Sequence, residues 1–420
     1  MFQKNRIIFI FALFFFFFFT VIDERYRQHQ TGFGKNDLAV FVVAGQSITG
    51  SVNMEPIELY TNRAKIKRAI AAVRPAAGGT HFLYLPQSAL LFVPFVLLHF
   101  NAMAVVWLVC NSLFVMFAYY FSIAYFVRDQ IMRIRYSLLL CILAFSDTVQ
   151  GLMRTGQING FIWLLLVGGC IVLLRKNNAV SGVLFGIAAT LKVFPLIFFP
   201  YLLLKRYGKS SITMVLTCLA LLLLSLPWFG FHGVSTFTYD ILPNLLRGDV
   251  GYIRESTSLF GSFMKSIQLG YWDWLGVSRK TIIAVGKNIH PVLVVGVLVL
   301  VSAVLYRRRK MKNATTLLMD YSLLILFVLL FSKSIHSQYQ LWVLPIILYL
   351  FHFPLTRKTI GVHLTALVTL VFTQYSQRLF TDNAVWWYIK PATLGMLILF
   401  IVALWYPRWR LLSENKAIQR

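Results

Sequence analysis

Long apolar runs, separated by short polar stretches, set the pattern of this chain. A run of roughly 17–25 apolar residues can cross a bilayer as a helix, and about twelve candidates are present. They lie at 6–22, 85–100, 103–127, 136–151, 159–174, 179–204, 211–228, 282–305, 314–331, 339–354, 360–378 and 386–407. The pattern predicts an all-α polytopic membrane protein of about twelve transmembrane helices. Residues 1–420 form a single domain in this prediction, because no polar stretch is long enough for a separate soluble domain.

The first run has two possible interpretations. Lys4 and Arg6 precede an apolar core, as in a signal peptide. The run is long, however, and the sequence TVIDERYR that follows it offers no good small-x-small cleavage pattern. We therefore favour an uncleaved helix.

Two longer polar stretches, 22–84 and 229–281, are predicted to be outer loops. In the first, apolar residues recur at helical spacing from Leu38 to Ile48, which predicts a short helix on the membrane surface with Asn36 or Asp37 as its N-cap. Residues 61–74 carry five cations among alanines and isoleucines. They predict a second, basic surface helix or a cover over anionic lipid.

The charge of the chain supports a membrane location. Hydrophobic residues make up 58% and charged residues only 13%, against about a quarter in soluble domains. The formal net charge is +26, but the cations cluster at the ends of the predicted helices, as expected for contacts with anionic lipid headgroups, and this argues against nucleic-acid binding. The four cysteines are scattered one to a helix, and no group of acidic residues has the spacing of a metal site, so no essential metal is expected.

The positions of the cations also predict sidedness. Lys4 and Arg6 place the N-terminus in the cytoplasm, together with the clusters at 205–209, 307–312, 357–358 and 408–420. The loops 22–84, 229–281, 332–338 and 379–385 then share the outer side. Clusters at 128–135 and 175–176 fall on the wrong side, which re-entrant segments at 85–100 and 179–204 would repair. Lys192 and Pro195 lie at the middle of 179–204, so a helix broken there is expected.

Three features of the first half could carry chemistry. Asp37 follows the first apolar run, and its plain interpretation is an N-cap. The sequence GQIN, with Gln157 and Asn159, opens a helix, and amides at a membrane face are costly unless they are bonded to the loop or to a ligand. Lys192 is an intramembrane cation that needs an anionic partner or a function, unless it snorkels. Gly182 and Gly186, ahead of it, form a small-xxx-small packing face.

A fourth feature lies late in the chain. The segment FSKSIHSQYQLWVLP, residues 331–345, begins with polar side chains and then becomes apolar. It brings four candidate residues to one helix entrance: Lys333, His336, Gln338 and Tyr339. The alternative is a polar helix end anchored by Trp342.

Taken in order, these segments resemble glycosyltransferase family 87, the polyprenol-phosphate-mannose-dependent mannosyltransferase-like enzymes of the GT-C superfamily. The resemblance rests on DLAVFVVAG (37–45), YLPQSALL (84–91), GQIN (156–159), GVLFGIAATLKVFP (182–195) and KSIHSQYQLWVLP (333–345). The chain departs from the family pattern where Gln87 replaces a second proline, Phe41 replaces a tyrosine, and Ser256 and Thr257 replace amides. These departures affect the expected sugar contacts more than the reaction type.

The resemblance implies a GT-C-type bundle and an inverting transfer of one hexose, with mannose the first candidate. The expected donor is a polyprenyl-phosphate sugar, and the acceptor is a lipid-linked or glycan hydroxyl at the outer face of the cell membrane. Asp37 is the expected general base. The donor phosphate and substrate are expected to contact Tyr84, Gln157, Asn159, Lys192, Arg254, Lys333, His336, Gln338 and Tyr339. Neither a cofactor nor a metal is expected.

Two other classes remain open from the sequence. A transporter or flippase of polyprenyl-linked sugars would also have many helices and an intramembrane lysine, although no inverted repeat is visible between the halves. A glycan polymerase or ligase would use similar lipid-linked donors but would move a whole glycan.

Overall fold

The architecture comes from a computed structural model of the chain. The structure describes residues 2–31, 37–73, 82–126, 132–247, 256–268, 270, 272–333, 335–353, 356–357, 359–375 and 390–417. Within these residues the regular structure is helical throughout, as expected for an all-α membrane protein.

The described residues contain eighteen α-helices, numbered here in chain order. They are α1 Phe2–Thr31, α2 Asp37–Thr49, α3 Glu58–Thr61, α4 Arg63–Val73, α5 Phe100–Phe126, α6 Met132–Leu143, α7 Asp147–Thr155, α8 Asn159–Leu174, α9 Asn178–Leu191, α10 Phe198–Leu204, α11 Gly208–Thr236, α12 Leu242–Arg247, α13 Leu259–Gln268, α14 Arg279–Arg307, α15 Ala314–Phe331, α16 Leu344–Leu350, α17 Ile360–Gln374 and α18 Pro391–Ala417. Four 3₁₀ segments, Pro86–Leu97, Phe194–Ile197, Asp273–Leu275 and Ser337–Val343, and a π-helical turn, Phe237–Ile241, complete the set.

The helices form two compact units. The first comprises Met1–Phe121, Gln130–Phe199 and Tyr207–Arg247; the second comprises Ser122–Asp129, Pro200–Arg206 and Gly248–Arg420.

Among the described residues, four helices are long and apolar enough to cross a membrane: Phe100–Phe126, Gly208–Asn244, Arg279–Arg307 and Ala314–Phe331. A fifth span is possible if α6 and α7, which meet at a bend of 49°, are taken as one. Most of the other predicted segments contain apolar helical stretches of 10–17 residues, among them Ile8–Ile22 within α1 and Pro391–Trp405 within α18. The structure therefore agrees with a polytopic all-α membrane protein, and the number of twelve crossings stays a prediction.

The predicted helix near Asp37 is present as α2, but it is not a helix with one exposed face. Its side chains from Leu38 to Ala44 are all at most 4% exposed. It packs against the 3₁₀ segment Pro86–Leu97 so closely that a Cβ on Gly45 would lie 3.1 Å from the backbone oxygen of Phe92. Its expected place on the membrane surface is thus not confirmed, because the protein itself covers most of it.

The second helix of this loop, α4, has the expected amphipathic pattern. Ile66, Ala69 and Ile70 are buried, while Arg63 and Lys67 are exposed. Helical periodicity puts the buried residues on one stripe and the cations on the other. Arg74, which the sequence placed in the same helix, lies outside the described residues.

The broken helix predicted at 179–204 is confirmed. Helix α9 ends at Leu191, and Lys192 adopts an extended conformation with φ −146° and ψ 141°. A 3₁₀ turn that includes Pro195 follows. Proline cannot donate a backbone hydrogen bond, and its ring clashes with the carbonyl four residues earlier. For Pro195 that residue is Leu191, the last residue of α9, so the end of the helix follows from the local sequence.

The two glycines ahead of that break form the predicted packing face. A Cβ on Gly182 would lie 2.2 Å from the backbone oxygen of Ser210 in α11, and one on Gly186 would lie 2.9 Å from that of Met214. The two backbones therefore meet at a distance that only glycine permits.

The stretch 229–281 is less loop-like than expected. Helix α11 extends through Trp228 to Thr236, kinked where Gly230 has φ 59°, and helical structure continues to Arg247. A positive φ costs glycine no steric strain, so Gly230 is the natural position for the kink.

In the second unit, a buried ion cluster corrects one expectation. Lys205 Nζ lies 2.6 Å from Asp320 Oδ2, and Arg308 Nη1 lies 3.6 Å from Asp320 Oδ1. All three side chains are at most 2% exposed. The expected headgroup contacts are therefore wrong for Lys205 and Arg308, because both cations face a carboxylate inside the protein.

Candidate active site

The turn between α7 and α8 positions two of the candidate residues. Helix α7 is capped at its start by Ser146, whose hydroxyl accepts a hydrogen bond from the Val149 amide at 3.1 Å. It ends at Gly156, a left-handed residue with φ 66°. The indole of Trp107 donates to the Gly156 carbonyl at 2.8 Å and holds the turn. Gln157 and Asn159 follow at once, so the local backbone turns both amides into the interior.

Lys192 lies at the break after α9 and binds both amides. Its ammonium donates to Gln157 Oε1 at 2.9 Å and to Asn159 Oδ1 at 2.8 Å. The amide of Asn159 also donates to Gln157 Oε1, at 3.4 Å. Lys192 is only 7% exposed, so the alternative of a snorkelling lysine does not fit the structure. Buried cations need such partners because desolvation is costly.

Asp37 joins this cluster from the first turn of α2. Gln157 Nε2 donates a hydrogen bond to Asp37 Oδ2. The pKa of Asp37 is raised from 3.8 to about 6, chiefly because burial disfavours the charged form. The positive charge of Lys192 and the hydrogen bond from Gln157 oppose this shift without cancelling it. The carboxyl group can therefore gain or lose a proton near neutral pH, as a general base must.

Tyr84 closes one side of the cluster. Lys192 Nζ lies 5.6 Å from the centre of its ring, a cation–π distance. The ring also packs on Phe41 at 4.5 Å between centroids, and Tyr60 donates a hydrogen bond to the Tyr84 carbonyl at 2.7 Å. The structure thus brings together five of the predicted site residues, Asp37, Tyr84, Gln157, Asn159 and Lys192.

The remaining candidates belong to the second unit. Lys333 Nζ lies 5.4 Å from the centre of the Phe260 ring. His336 precedes the 3₁₀ segment Ser337–Val343, where Tyr339 is 8% exposed and packs edge-on against Trp342 at 5.1 Å. The side-chain amide oxygen of Gln338, Oε1, is buried without a hydrogen-bond partner in the described structure. Arg254 lies outside the described residues.

Sequence reasoning missed how Ser256 and Thr257 act in this unit. The Thr257 amide donates to the Ile335 carbonyl at 2.7 Å, and the Ile335 amide donates to Ser256 Oγ at 2.9 Å. Lys390 donates to the Ser256 carbonyl. The serine and threonine therefore hold the backbone of Ile335, directly before His336. The sequence analysis did not single out Lys390, a single cation near the start of the predicted run 386–407.

The described residues contain no group of three His, Cys, Asp or Glu side chains that could hold a metal ion. The cluster around Asp37 contributes one carboxylate, two amides and an ammonium. A cation would have to share this space with the ammonium of Lys192. The arrangement is better suited to proton transfer beside a fixed positive charge.

The family model of glycosyltransferase family 87 matches residues 82–332, which is more than half of the chain. The matched range includes Tyr84, Gln157, Asn159 and Lys192, begins after Asp37 and ends just before Lys333. No curated protein matches the chain.

Proposed function

The chain belongs to glycosyltransferase family 87, and we propose that it transfers a single hexose, with mannose as the first candidate, from a polyprenyl phosphate to a lipid-linked or glycan hydroxyl. The observation that carries this proposal is the contact of Asp37 with Gln157, which in turn binds Lys192. A carboxyl group with a pKa of about 6 and a buried cation then lie in one cluster.

In the proposed reaction, Asp37 takes the proton from the acceptor hydroxyl while that oxygen attacks the anomeric carbon. The bond between the anomeric carbon and the phosphate oxygen breaks, and polyprenyl phosphate leaves. Attack opposite the leaving phosphate inverts the anomeric configuration. A hydroxyl is a weak nucleophile, so a carboxylate near its pKa contributes most by accepting this proton during the attack.

The leaving phosphate gains negative charge in the transition state and needs preorganised cations and donors. Within the Asp37 cluster, Lys192 is the candidate for stabilising the charge on the leaving phosphate. A cation at ~4 Å contributes about 4 kcal/mol at an effective dielectric of ~20, before desolvation is subtracted. Lys333, His336, Gln338 and Tyr339 of the second unit, together with Arg254, remain candidates for binding the donor.

We place the reaction at the outer face of the cell membrane, where the polyprenyl tail of the donor lies in the bilayer. The support is the distribution of cations along the sequence, which puts the loop that carries Asp37 opposite the N-terminus. Labelling of Ser51→Cys, an exposed position after α2, with a membrane-impermeant maleimide tests the side directly. If the cysteine at position 51 is labelled only after the cells are lysed, the proposed location at the outer face is wrong.

The central experiment compares Asp37→Asn with the wild type in purified protein. The substrates are polyprenyl-phosphate mannose and a membrane lipid extract, and mass spectrometry detects the product. We expect Asp37→Asn to fold and to lose transfer by at least ~10²-fold. Glu55→Gln, which removes an exposed carboxylate from the same loop, is the matched control and should keep full activity.

Other outcomes would contradict the proposal. Near wild-type transfer by Asp37→Asn would exclude this residue as the base. Movement of intact donor lipid across proteoliposomes, without any glycosidic product, would favour the transporter. Transfer of a whole glycan in one step would favour the polymerase or ligase. We expect EDTA to leave transfer unchanged, since the reaction as proposed requires no metal.

A further inference from the structure

The amide of Gln157 is bonded at both of its ends. Its carbonyl oxygen Oε1 accepts from Lys192 Nζ at 2.9 Å and from Asn159 Nδ2 at 3.4 Å. Its nitrogen Nε2 donates to Asp37 Oδ2. Gln157 is 7% exposed and Asn159 is fully buried, so water competes little for these bonds.

These contacts allow only one orientation of the Gln157 amide. An ammonium group can donate hydrogen bonds but cannot accept them. The group that faces Lys192 must therefore be the carbonyl, and the NH₂ group must face Asp37. The Asn159 amide is oriented in the same way, because its Oδ1 accepts from Lys192 at 2.8 Å and its NH₂ then faces Gln157.

We propose that Gln157 is a positioning residue for the reaction: Lys192 and Asn159 fix its amide so that Nε2 always presents a donor to Oδ2 of Asp37. The inference rests on the proposed function of Asp37 as the general base. It assigns Gln157 to the base rather than to the donor sugar.

The two carboxylate oxygens of Asp37 then have different roles. Oδ2 is held by Gln157, so Oδ1 is the oxygen that takes the proton from the acceptor. A carboxylate fixed in one rotamer keeps the hydroxyl within reach, and small displacements of reacting groups are costly. The bond also favours the charged form of Asp37, as does Lys192, the charged group that faces it across Gln157.

The backbone gives a reason for using three separate segments. Asp37 lies at the start of α2, Gln157 follows the left-handed Gly156, and Lys192 lies at an extended break. Each side chain therefore leaves a helix end rather than a helix face. Gln157 is the group that joins the other two.

The test measures the pH dependence of transfer in Gln157→Ala and Gln157→Glu. The Ala variant loses a hydrogen bond to the charged form of Asp37, so the acid limb of the kcat profile should move to higher pH, with kcat reduced by roughly 10- to 10²-fold. The Glu variant has nearly the same shape but places a second carboxyl group against Asp37. The acid limb of its kcat profile should therefore move to still higher pH than that of the Ala variant. The KM for the polyprenyl-phosphate donor should change little in both.

Gln46→Glu is the matched control. It adds the same charge to α2, at a half-buried position two turns or more beyond Asp37, and its acid limb should not move. If Gln157→Ala does not fold, Gln157→Glu carries the test, and thermal unfolding of each variant shows whether the protein is intact.

Two results would overturn the inference. One is an unmoved acid limb in Gln157→Glu. The other is a raised donor KM with unchanged kcat, which would make Gln157 a donor contact. Either result, with Asp37→Asn still inactive, would leave the base in place and remove only Gln157 as its positioning residue. An active Asp37→Asn would instead remove the proposed function itself.

Discussion

Gln157 donates a hydrogen bond to Asp37 across a separation of 120 residues. The contact joins the first helix after the N-terminal segment to the turn between α7 and α8. The carboxyl group of Asp37 is therefore not simply exposed to water at the start of α2, and Asn36, the other predicted N-cap, lies outside the described residues. It belongs to a largely buried polar cluster in which protein groups replace the solvent.

The first prediction concerns pH. The raised pKa of Asp37 means that the carboxyl group is protonated, and unable to accept a proton, at pH values below about 6. The rate of transfer should therefore fall as the pH is lowered through about 6 and should reach its maximum above that value. Initial rates at saturating donor, measured from pH 4 to 9, test this. An acid limb near pH 4 would mean that Asp37 titrates as an ordinary carboxyl group or is not the base.

The second prediction concerns Lys192. Lys192→Met keeps most of the length of the side chain but removes the charge that lowers the pKa of Asp37. The rate at neutral pH should fall on the order of 10²-fold, and the acid limb should move above 6. Lys67→Met removes an exposed cation from α4 in the same unit and should change neither value. An unmoved limb in Lys192→Met would contradict the electrostatic coupling.

The third prediction concerns the buried ion cluster. Asp320→Asn leaves Lys205 and Arg308 in the interior without their counter-ion. Removing one partner of a buried pair typically costs about 3–5 kcal/mol. The thermal unfolding temperature in detergent, followed by tryptophan fluorescence, should therefore fall clearly.

Asp273→Asn provides the control for that experiment. It breaks the ion pair with Arg279, in which both side chains are 52% exposed, and water can replace the lost contact. Little change in the unfolding temperature is expected. Equal losses in the two variants would show that burial does not decide the value of the Asp320 cluster.

The fourth prediction concerns the contact between α9 and α11. Gly182→Ala would place a methyl group 1.9 Å from Thr213 Oγ1 and 2.2 Å from the Ser210 carbonyl oxygen. Relieving such overlap shifts the backbone and costs about 1–3 kcal/mol or more. The unfolding temperature of Gly182→Ala should drop.

Gly296→Ala is the comparison for the glycine contact. Gly296 also lies in a long helix, α14, but nothing lies within 4 Å of its added methyl group. The substitution should be neutral or slightly stabilising, because alanine favours helix over glycine by up to ~1 kcal/mol. A stable Gly182→Ala would mean that α9 and α11 can separate without cost.

The local sequence was sufficient for several features. The apolar runs marked helical segments, Pro195 predicted the break at Lys192, and Gly182 and Gly186 marked a close helix contact. These features depend on residues within one or two turns of each other. Hydrophobic periodicity and the special backbones of proline and glycine act over that range.

The pairing of charges could not be read in the same way. Lys205 and Arg308 looked like headgroup contacts because they occur in basic clusters at helix ends, yet both face Asp320 inside the second unit. Helix α2 looked like a surface helix, yet its side chains are covered by Pro86–Leu97 and its neighbours. Which face of a helix is covered depends on what packs against it.

The sequence by itself determined that this is a helical membrane protein, that the segment 179–204 is broken near Pro195, and which polar residues are too costly to bury without a partner. Only the tertiary structure decided which residues are those partners. Gln157, Asn159 and Lys192 meet Asp37 because three helix ends, far apart along the chain, are packed side by side. A hydrogen bond requires atoms to lie about 3 Å apart, and sequence spacing cannot set that distance across a fold.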